Sequence, residues 1–398
     1  MNKELHTMKY LQEKVDDLKQ KGLYRTLPVN SGACDPVLEL NGKKVINLCS
    51  NNYLSLGNDE RLKEAAIEAI KHYGVGAGAV RTIVGNQTIH EELEAALAKF
   101  KHAERCFIYQ SGYDCNIGTI QAICDKDDLL ISDQLNHASI IDGMRMVKAT
   151  KQVYAHSNMQ ELEELLKAAQ GKYHNVFIFT DGVFSMDGDL AKLPEIVELA
   201  EKYGAFTYVD DAHGSGTMGS HGRGTVDHFG LHGRVDFIIG TLSKAIGVKG
   251  GYVACSEASY QWLTHRARPV LFSTTLSPAD TAAAKKAIEI LTEDDSLQKQ
   301  LWANSKYIKE QLTALGFNTG HSETPITPVI IGDEAKAMQF SKKLLEKGVF
   351  VSAIVFPTVP LGTGRVRVMV QAKHTREQLD EAVRIFHEVG VEMGILDK

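Results

Sequence analysis

Val235-Asp236-Phe237-Ile238-Ile239-Gly240-Thr241-Leu242-Ser243-Lys244-Ala245-Ile246-Gly247 places a lysine where an apolar run opens into a glycine-rich turn. The run from Val235 to Gly240 has the character of a buried strand, and its end delivers Lys244 to a loop. A lysine that leaves water needs a partner or a lowered pKa, because desolvation penalises the ammonium. Most lysines are solvated surface charges, so this one carries weight only with a second feature beside it.

That feature is the strand end Phe206-Thr207-Tyr208-Val209-Asp210-Asp211-Ala212-His213. Asp210 and Lys244 are separated by about one strand-loop-strand excursion, so adjacent strand ends can bring them together. Read alone, Asp-Asp-Ala-His also suits a divalent metal, since carboxylates and imidazole ligate metals. Joined to the lysine loop it matches pyridoxal 5'-phosphate (PLP) better: an amine for the aldehyde, a carboxylate for the pyridine nitrogen and a polar ring nearby. No metal is expected.

Working outward, short apolar strands alternate with amphipathic helices. Strands are predicted at Cys106–Tyr109, Leu129–Ser132, Gln152–Tyr154, Val176–Phe179 and Gly251–Ala254, with helices over 59–72, 90–100 and 193–203. Gly204 closes the last helix, and Asn158 with Glu161 forms a capping box for the helix before Val176. This alternation specifies an α/β fold with a mostly parallel sheet covered on both faces. Ligands in such sheets bind beyond the carboxyl ends of the strands, where Ser111, Ser185, Asp210 and Lys244 fall.

Upstream, Leu5, Met8, Leu11, Val15 and Leu18 share a helical stripe over 5–18, suited to packing on its own domain or on a partner subunit. Residues 37–48 are a hairpin turning at Asn41-Gly42. Downstream, a helix near 277–292 closes the large unit, and helices over 296–315, 334–347 and 375–394 with strands at 327–331, 349–352 and 365–370 describe a smaller α+β unit. The expected organisation is an N-terminal helix and hairpin segment (1–57), a large cofactor domain (58–292) and a C-terminal α+β domain (293–398).

Composition narrows the function. With 398 residues and a net charge of −6, the chain is long enough for a large core and lacks the basic excess of a nucleic-acid binder. Its six cysteines are scattered without a CxxC pair, which argues against structural zinc or a disulfide framework. The polar first residues lack the apolar segment of a secretory leader, and no apolar run reaches membrane-spanning length. A cytoplasmic protein with no membrane partner is expected.

Phosphate is held by backbone N–H groups at a helix N-terminus together with hydroxyls. Ser111-Gly112-Tyr113 after the Cys106 strand offers both, and Thr241 adds a hydroxyl. His137, in Leu135-Asn136-His137-Ala138-Ser139, could stack on a pyridine ring. Gly74-Val75-Gly76-Ala77-Gly78 is no dinucleotide loop, because it follows a helix and lacks the GxGxxG spacing.

Five motifs then occur in order: Asn51-Asn52-Tyr53-Leu54, Asn136-His137-Ala138-Ser139-Ile140-Ile141-Asp142-Gly143, Thr180-Asp181-Gly182-Val183-Phe184-Ser185-Met186-Asp187-Gly188, Asp210-Asp211-Ala212-His213 and Gly240-Thr241-Leu242-Ser243-Lys244-Ala245. Across nearly its whole length the chain resembles the α-oxoamine synthase family of fold-type I PLP-dependent transferases. The resemblance implies that Lys244 forms the Schiff base and then removes the substrate α-proton. It implies that Asp210 pairs with the pyridine nitrogen, that His213 and Ser185 contact the ring hydroxyl region, and that His137 stacks on the ring. Ser111, Gly112, Tyr113 and Thr241 would surround the phosphate, and Ser273 and Thr274 would reach the neighbouring subunit's phosphate in a homodimer with shared sites. Arg367 would bind the amino-acid carboxylate, with Arg25, Asn52 and Thr358 lining the substrate side.

Within the family, Asp181–Gly188 and Arg268-Pro269 lean toward the glycine C-acetyltransferase (2-amino-3-ketobutyrate CoA ligase) branch, which condenses glycine with acetyl-CoA in threonine catabolism. Ser111-Gly112-Tyr113 and Phe356-Pro357-Thr358-Val359-Pro360 lean toward the 8-amino-7-oxononanoate synthase branch, which uses L-alanine and a pimeloyl thioester in biotin synthesis. A short acyl-CoA is the primary expectation and the pimeloyl thioester the alternative. A PLP aminotransferase or aldolase on the same fold is the more distant one.

Overall fold

The computed structural model describes residues 4–24 and 26–397. Seven strands build the main sheet: β3 (Arg105–Tyr109), β4 (Leu129–Asp133), β5 (Thr150–Tyr154), β6 (Val176–Asp181), β7 (Phe206–Asp210), β8 (Phe237–Thr241) and β9 (Gly251–Cys255). They follow the hairpin strands β1 (Val37–Leu40) and β2 (Lys43–Asn47) in the chain. The spatial order is β3-β9-β8-β7-β6-β4-β5, and β9 runs antiparallel to both of its neighbours while the remaining pairs are parallel.

Both faces of this sheet are buried, and the strand sequences show why. Cys106, Ile108, Ile131, Ile178, Val209, Ile238 and Ala254 pack into one apolar cluster. Their alternating neighbours Phe107, Tyr109, Leu130, Phe177, Phe179, Tyr208, Phe237 and Ile239 pack into a second. Successive residues of a strand point to opposite faces, so a continuous apolar run fills two cores at once. The predicted helices are present at Glu60–Tyr73, Thr88–Lys101 and Leu193–Tyr203, the last ended by Gly204 in the left-handed region at φ 67.

The register matters for chemistry. Asp181 lies opposite Asp210, so β6 and β7 end level, and Asp210 lies opposite Ile239, so β8 runs on past them to Thr241. The carboxyl ends of β3, β4, β6, β7 and β8 share one edge of the sheet, and the loops that leave them carry Ser111, His137, Ser185, His213 and Lys244.

The rest of the chain departs from the sequence reading in three places. The hairpin turns at Asn41 (φ 50) and Gly42 (φ 77), both left-handed as a two-residue turn requires. Its second strand, however, also pairs in parallel with β11 (Val349–Phe350), so the N-terminal hairpin and a C-terminal strand share a three-stranded sheet. The single strand predicted over 349–352 is split. β12 (Ser352–Ile354) belongs instead with β10 (Ile326–Gly332) and β13 (Gly364–Met369). Asn158 does cap its helix by accepting from Glu161 N, but the Glu161 carboxylate reaches Ala155 N and not the cap residue, so the box is not reciprocal.

The N-terminal helix, Glu4–Gln20, leaves its stripe open: Met8 is 67% and Leu11 55% exposed. The side chain of Leu5 lies outside the described residues. Among the described residues no helix is long and apolar enough to cross a membrane.

One partly buried charge cluster ties the sheet to the loop after β6. His156 contacts Asp133 Oδ1 at 3.0 Å and Asp189 Oδ2 at 2.8 Å, with its ring edge-on to Phe184. Burial alone would lower its pKa, but the two carboxylates outweigh burial and raise it to about 10. A raised folded-state pKa contributes stability that is complete below the ordinary histidine value and is lost as pH climbs through the folded value. His156→Gln is therefore expected to lower the thermal midpoint near about pH 6, and to lower it progressively less toward about pH 10. Thermal melts across that range check it; a gap that widens with pH contradicts the assignment.

Candidate active site

At the shared strand edge a cavity of about 230 Å³ is lined by Ser111, Gly112, Tyr113, His137, Asp181, Ser185, Asp210, His213, Thr241 and Lys244, among others. Nine of the residues singled out from sequence thus meet in one place. Asp181 joins them because its strand ends level with Asp210.

The Lys244 amine forms no hydrogen bond or ion pair among the described residues. Burial pushes its pKa down to about 8, Asp210 and Asp181 oppose that fall, and Arg367 adds to it. A lysine held there exchanges between acid and base near neutrality. Asp210 is fixed through both oxygens: Oδ1 accepts from Ala212 N at 3.0 Å and Oδ2 from Asn116 Nδ2 at 2.6 Å. Its neighbour Asp211 is turned away into a buried pair with Lys101 at 2.8 Å, and also accepts from Thr225 N and Oγ1. The aspartate that faces the cavity is therefore Asp210.

His213 is buried, and desolvation together with the positive charges of Lys244 and Arg367 holds its pKa well below the ordinary value. Tyr53 OH lies 2.7 Å from its Nδ1. Burial raises the Tyr53 pKa, so it stays a phenol, and the tautomer of His213 in which Nδ1 accepts from that phenol carries its proton on Nε2. His137 is likewise lowered by burial; Ser139 N donates to its Nδ1 at 3.3 Å and Ser139 Oγ lies 2.7 Å away. Asp181 is raised well above the usual carboxylate range by burial and by the Asp210 charge.

Ser111 caps the helix Gly112–Ile123 by accepting from Asp114 N. A Cβ added to Gly112 would stand 3.1 Å from both Cβ and Oγ1 of Thr241, so this close approach leaves little room for a side chain. Tyr113 is half-exposed at the rim and donates to Asp142 Oδ2 at 2.9 Å.

The substrate-side expectations fare differently. Arg367 on β13 donates to Ser185 O at 3.1 Å and approaches Asn51 Oδ1 at 3.4 Å, while its buried Nε has no partner among the described residues. Asn52 is turned away: its amide donates to Cys34 O and accepts from Gly57 N, which makes it a loop brace, and Asn51 takes the place beside Arg367. Thr358 is exposed in a turn outside the cavity lining. Ser273 and Thr274 are exposed and likewise outside it, with their carbonyls accepting from Gln110 Nε2. Arg25 lies outside the described residues.

Asn116, Ser139 and Tyr53 were not singled out by sequence reasoning as site residues. Asn116 carried a usable signal, a polar side chain amid the buried face of the helix that Ser111 caps.

Residues 43–386 match the family described as Aminotransferase class I and II. The 8-amino-7-oxononanoate synthase of Alkaliphilus metalliredigens is 62% identical over 98% of this chain and 99% of its own length. The chain belongs to the α-oxoamine synthase family. Among solved structures, a variant of serine palmitoyltransferase from S. paucimobilis with bound PLP-myriocin aldimine superposes with a TM-score of 0.93 at 30% identity, covering 99% and 100% of the two chains. The 8-amino-7-oxononanoate synthase of Francisella tularensis gives a TM-score of 0.76 at 25% identity, covering 88% and 99%.

The cofactor of an α-oxoamine synthase is PLP, and the residues present fit it. An amine with no polar partner, a clamped carboxylate and a helix N-terminus whose glycine has little room for a side chain face one cavity. The lean of the motifs toward glycine and a short acyl-CoA is not supported by these relatives. Asp181, Val183 and Ser185 of the motif behind that lean line the cofactor cavity, so the motif reports ring chemistry that both branches share and not the length of the acyl chain.

Proposed function

We propose that this α-oxoamine synthase joins L-alanine to a pimeloyl thioester to form 8-amino-7-oxononanoate, a step of biotin synthesis. The observation that carries this is the 62% identity, over essentially both whole chains, to a protein of that activity. Carbon counting defines the reaction. Alanine brings three carbons and pimeloyl seven, while the nonanoate product has nine, so the alanine carboxylate leaves as carbon dioxide and the thiol is released.

Bound PLP supplies an aldehyde for the amino group and a protonated ring that takes up the electron pair left at Cα. Lys244 holds the cofactor, then, as an amine with a pKa near 8, accepts the α-proton. Asp210 keeps the pyridine nitrogen protonated through a carboxylate already clamped by Ala212 N and Asn116. Neutral His213 offers its Nε2 proton to the ring oxygen, and Ser185 lies beside it in the cavity wall. His137 covers the ring face, and the Ser111-Gly112 backbone with Thr241 holds the phosphate. The buried, unpartnered Nε of Arg367 suits the amino-acid carboxylate.

Two copies complete the enzyme in this proposal. Ser273 and Thr274 are exposed and outside their own cavity, beside Phe272 at 71% exposure and near Ile83 and Val84, which are also open. This apolar surface and the open stripe of the N-terminal helix support a homodimer in which each copy's Ser273 and Thr274 reach the other's phosphate site.

Steady-state kinetics test the substrate assignment. The kcat/KM for L-alanine with pimeloyl-CoA is expected to exceed that for glycine with acetyl-CoA by on the order of 10²-fold or more, since several methylenes and a distal carboxylate distinguish the donors. The opposite ranking returns the chain to the acetyltransferase branch.

A further inference from the structure

A buried amide sits behind Asp210 with every polar atom used. Asn116 is 1% exposed, on the helix that starts at the phosphate turn. Its Oδ1 accepts from Tyr208 OH at 2.8 Å. The Asp210 carboxylate fixes which end of the amide is which: its Oδ2 accepts, so the group facing it is Nδ2, and the oxygen is left to accept from the Tyr208 phenol. Both Nδ2 protons are then directed away from Tyr208. One goes to Asp210 Oδ2 at 2.6 Å and the other to Ser139 Oγ at 2.8 Å. Ser139, its oxygen now accepting, turns its own proton toward His137 Nδ1 at 2.7 Å.

The geometry points to Asn116 as a positioning residue that, oriented by Tyr208, holds the Asp210 carboxylate toward the cofactor nitrogen and links it to the His137 ring. The inference rests on the PLP reading of this cavity and not on which acyl donor is used.

The physical reasoning is short. A hydrogen bond donated to a carboxylate favours its charged form, and a charged carboxylate holds the proton on the pyridine nitrogen. Ala212 N restrains one oxygen of Asp210; Asn116 restrains the other and so sets the plane of the group. The same amide leaves Ser139 one sensible proton direction, which keeps Nδ1 of His137 an acceptor and its remaining proton on Nε2. An aspartate at 116 could not serve, because it would set a second carboxylate against Asp210. Serine or alanine would leave Asp210 Oδ2 and Tyr208 OH without their buried partner.

The test uses the full-length protein loaded with PLP labelled with ¹⁵N in its ring, compared across wild type, Asn116→Ala, Tyr208→Phe and the double variant. Wild type should show a protonated ring nitrogen near neutral pH. In Asn116→Ala that signal should move toward the unprotonated form. Its kcat should fall by about 10–100-fold, the usual scale for partners that orient a functional group. The KM for the amino acid should change little, because Asn116 touches no part of it. Tyr208→Phe removes only one oxygen, so it keeps the test open if Asn116→Ala folds poorly; it should shift the ring signal in the same direction by less. The double variant should be no worse than Asn116→Ala, since Tyr208 acts through Asn116. An unchanged ring-nitrogen signal in Asn116→Ala or in Tyr208→Phe, or additive losses in the double variant, overturns the role. Failure of wild type to bind PLP overturns instead the reading on which it rests.

Discussion

Lys244→Ala is expected to cut turnover by about 10⁴-fold, the upper end of what a positioned acid–base group supplies, because one side chain both tethers the cofactor and carries the substrate proton. The variant should still bind PLP without a covalent bond, since the Ser111-Gly112 turn and Thr241 are untouched. Borohydride reduction of the wild-type protein should fix the cofactor to Lys244, seen as a mass adduct on its peptide. The pKa of about 8 adds a pH signature. Only the neutral amine adds to the aldehyde, and its fraction rises as pH passes through that value. Capture of PLP by the cofactor-free protein should therefore accelerate between about pH 7 and about pH 9 and then level off, where an unperturbed lysine would still be gaining beyond about pH 10. A reduced adduct on Lys249, or capture that keeps climbing at the higher pH, would contradict the assignment.

Asp210→Asn carries the second large effect. The amide cannot hold a proton on the pyridine nitrogen, so the ring loses much of its capacity to accept charge, and kcat should fall by about 10²–10³-fold. The isosteric replacement should leave circular dichroism close to wild type. Asp211→Asn should behave in the opposite way. Asp211 and Lys101 are fully buried and paired at 2.8 Å, so removing that charge strands an ammonium inside the protein. Breaking a buried pair costs about 3–5 kcal/mol of stability, which a denaturation midpoint would show before any change in the cofactor. Near-normal turnover in Asp210→Asn alongside a stable, inactive Asp211→Asn would place the functional carboxylate one residue later.

The parts of the site legible in the sequence are those at strand ends. Lys244, Asp210, His213, Ser111 and His137 each follow a short apolar run, and the carboxyl ends of parallel strands bring such residues to one edge. Asp181 obeys the same rule. It figures in the sequence reading only within the Thr180–Gly188 motif, and its place opposite Asp210 puts it in the same wall. Asn116 and Tyr208 are a different case. One sits within a helix and the other within a strand, and their pairing depends on how that helix lies across the sheet.

Among the substrate residues, the Asn51-Asn52 pair shows where local reading stops. Two adjacent asparagines have the same chemistry, and only the path of the loop decides that Asn52 braces Cys34 and Gly57 while Asn51 turns to Arg367. The lean toward a short acyl donor, which the relatives do not support, arises for a related reason. The motif behind it places Asp181, Val183 and Ser185 in the wall of the cavity beside Lys244 and Asp210, where it bears on the ring and not on the acyl chain.

The sequence alone determined the α/β class, the strand and helix order, the family and the lysine and aspartate that meet in one cavity, because period-two apolar runs, helical stripes and strand-end polar residues are local patterns. Tertiary structure alone decided that the N-terminal hairpin joins β11 and that residues 349–354 divide between two sheets. It also decided that Asp211 belongs to Lys101 and that Asn116 clamps Asp210. Those outcomes depend on contacts between residues far apart in the chain, where burial and the demand that every buried polar group find a partner choose among locally equivalent arrangements.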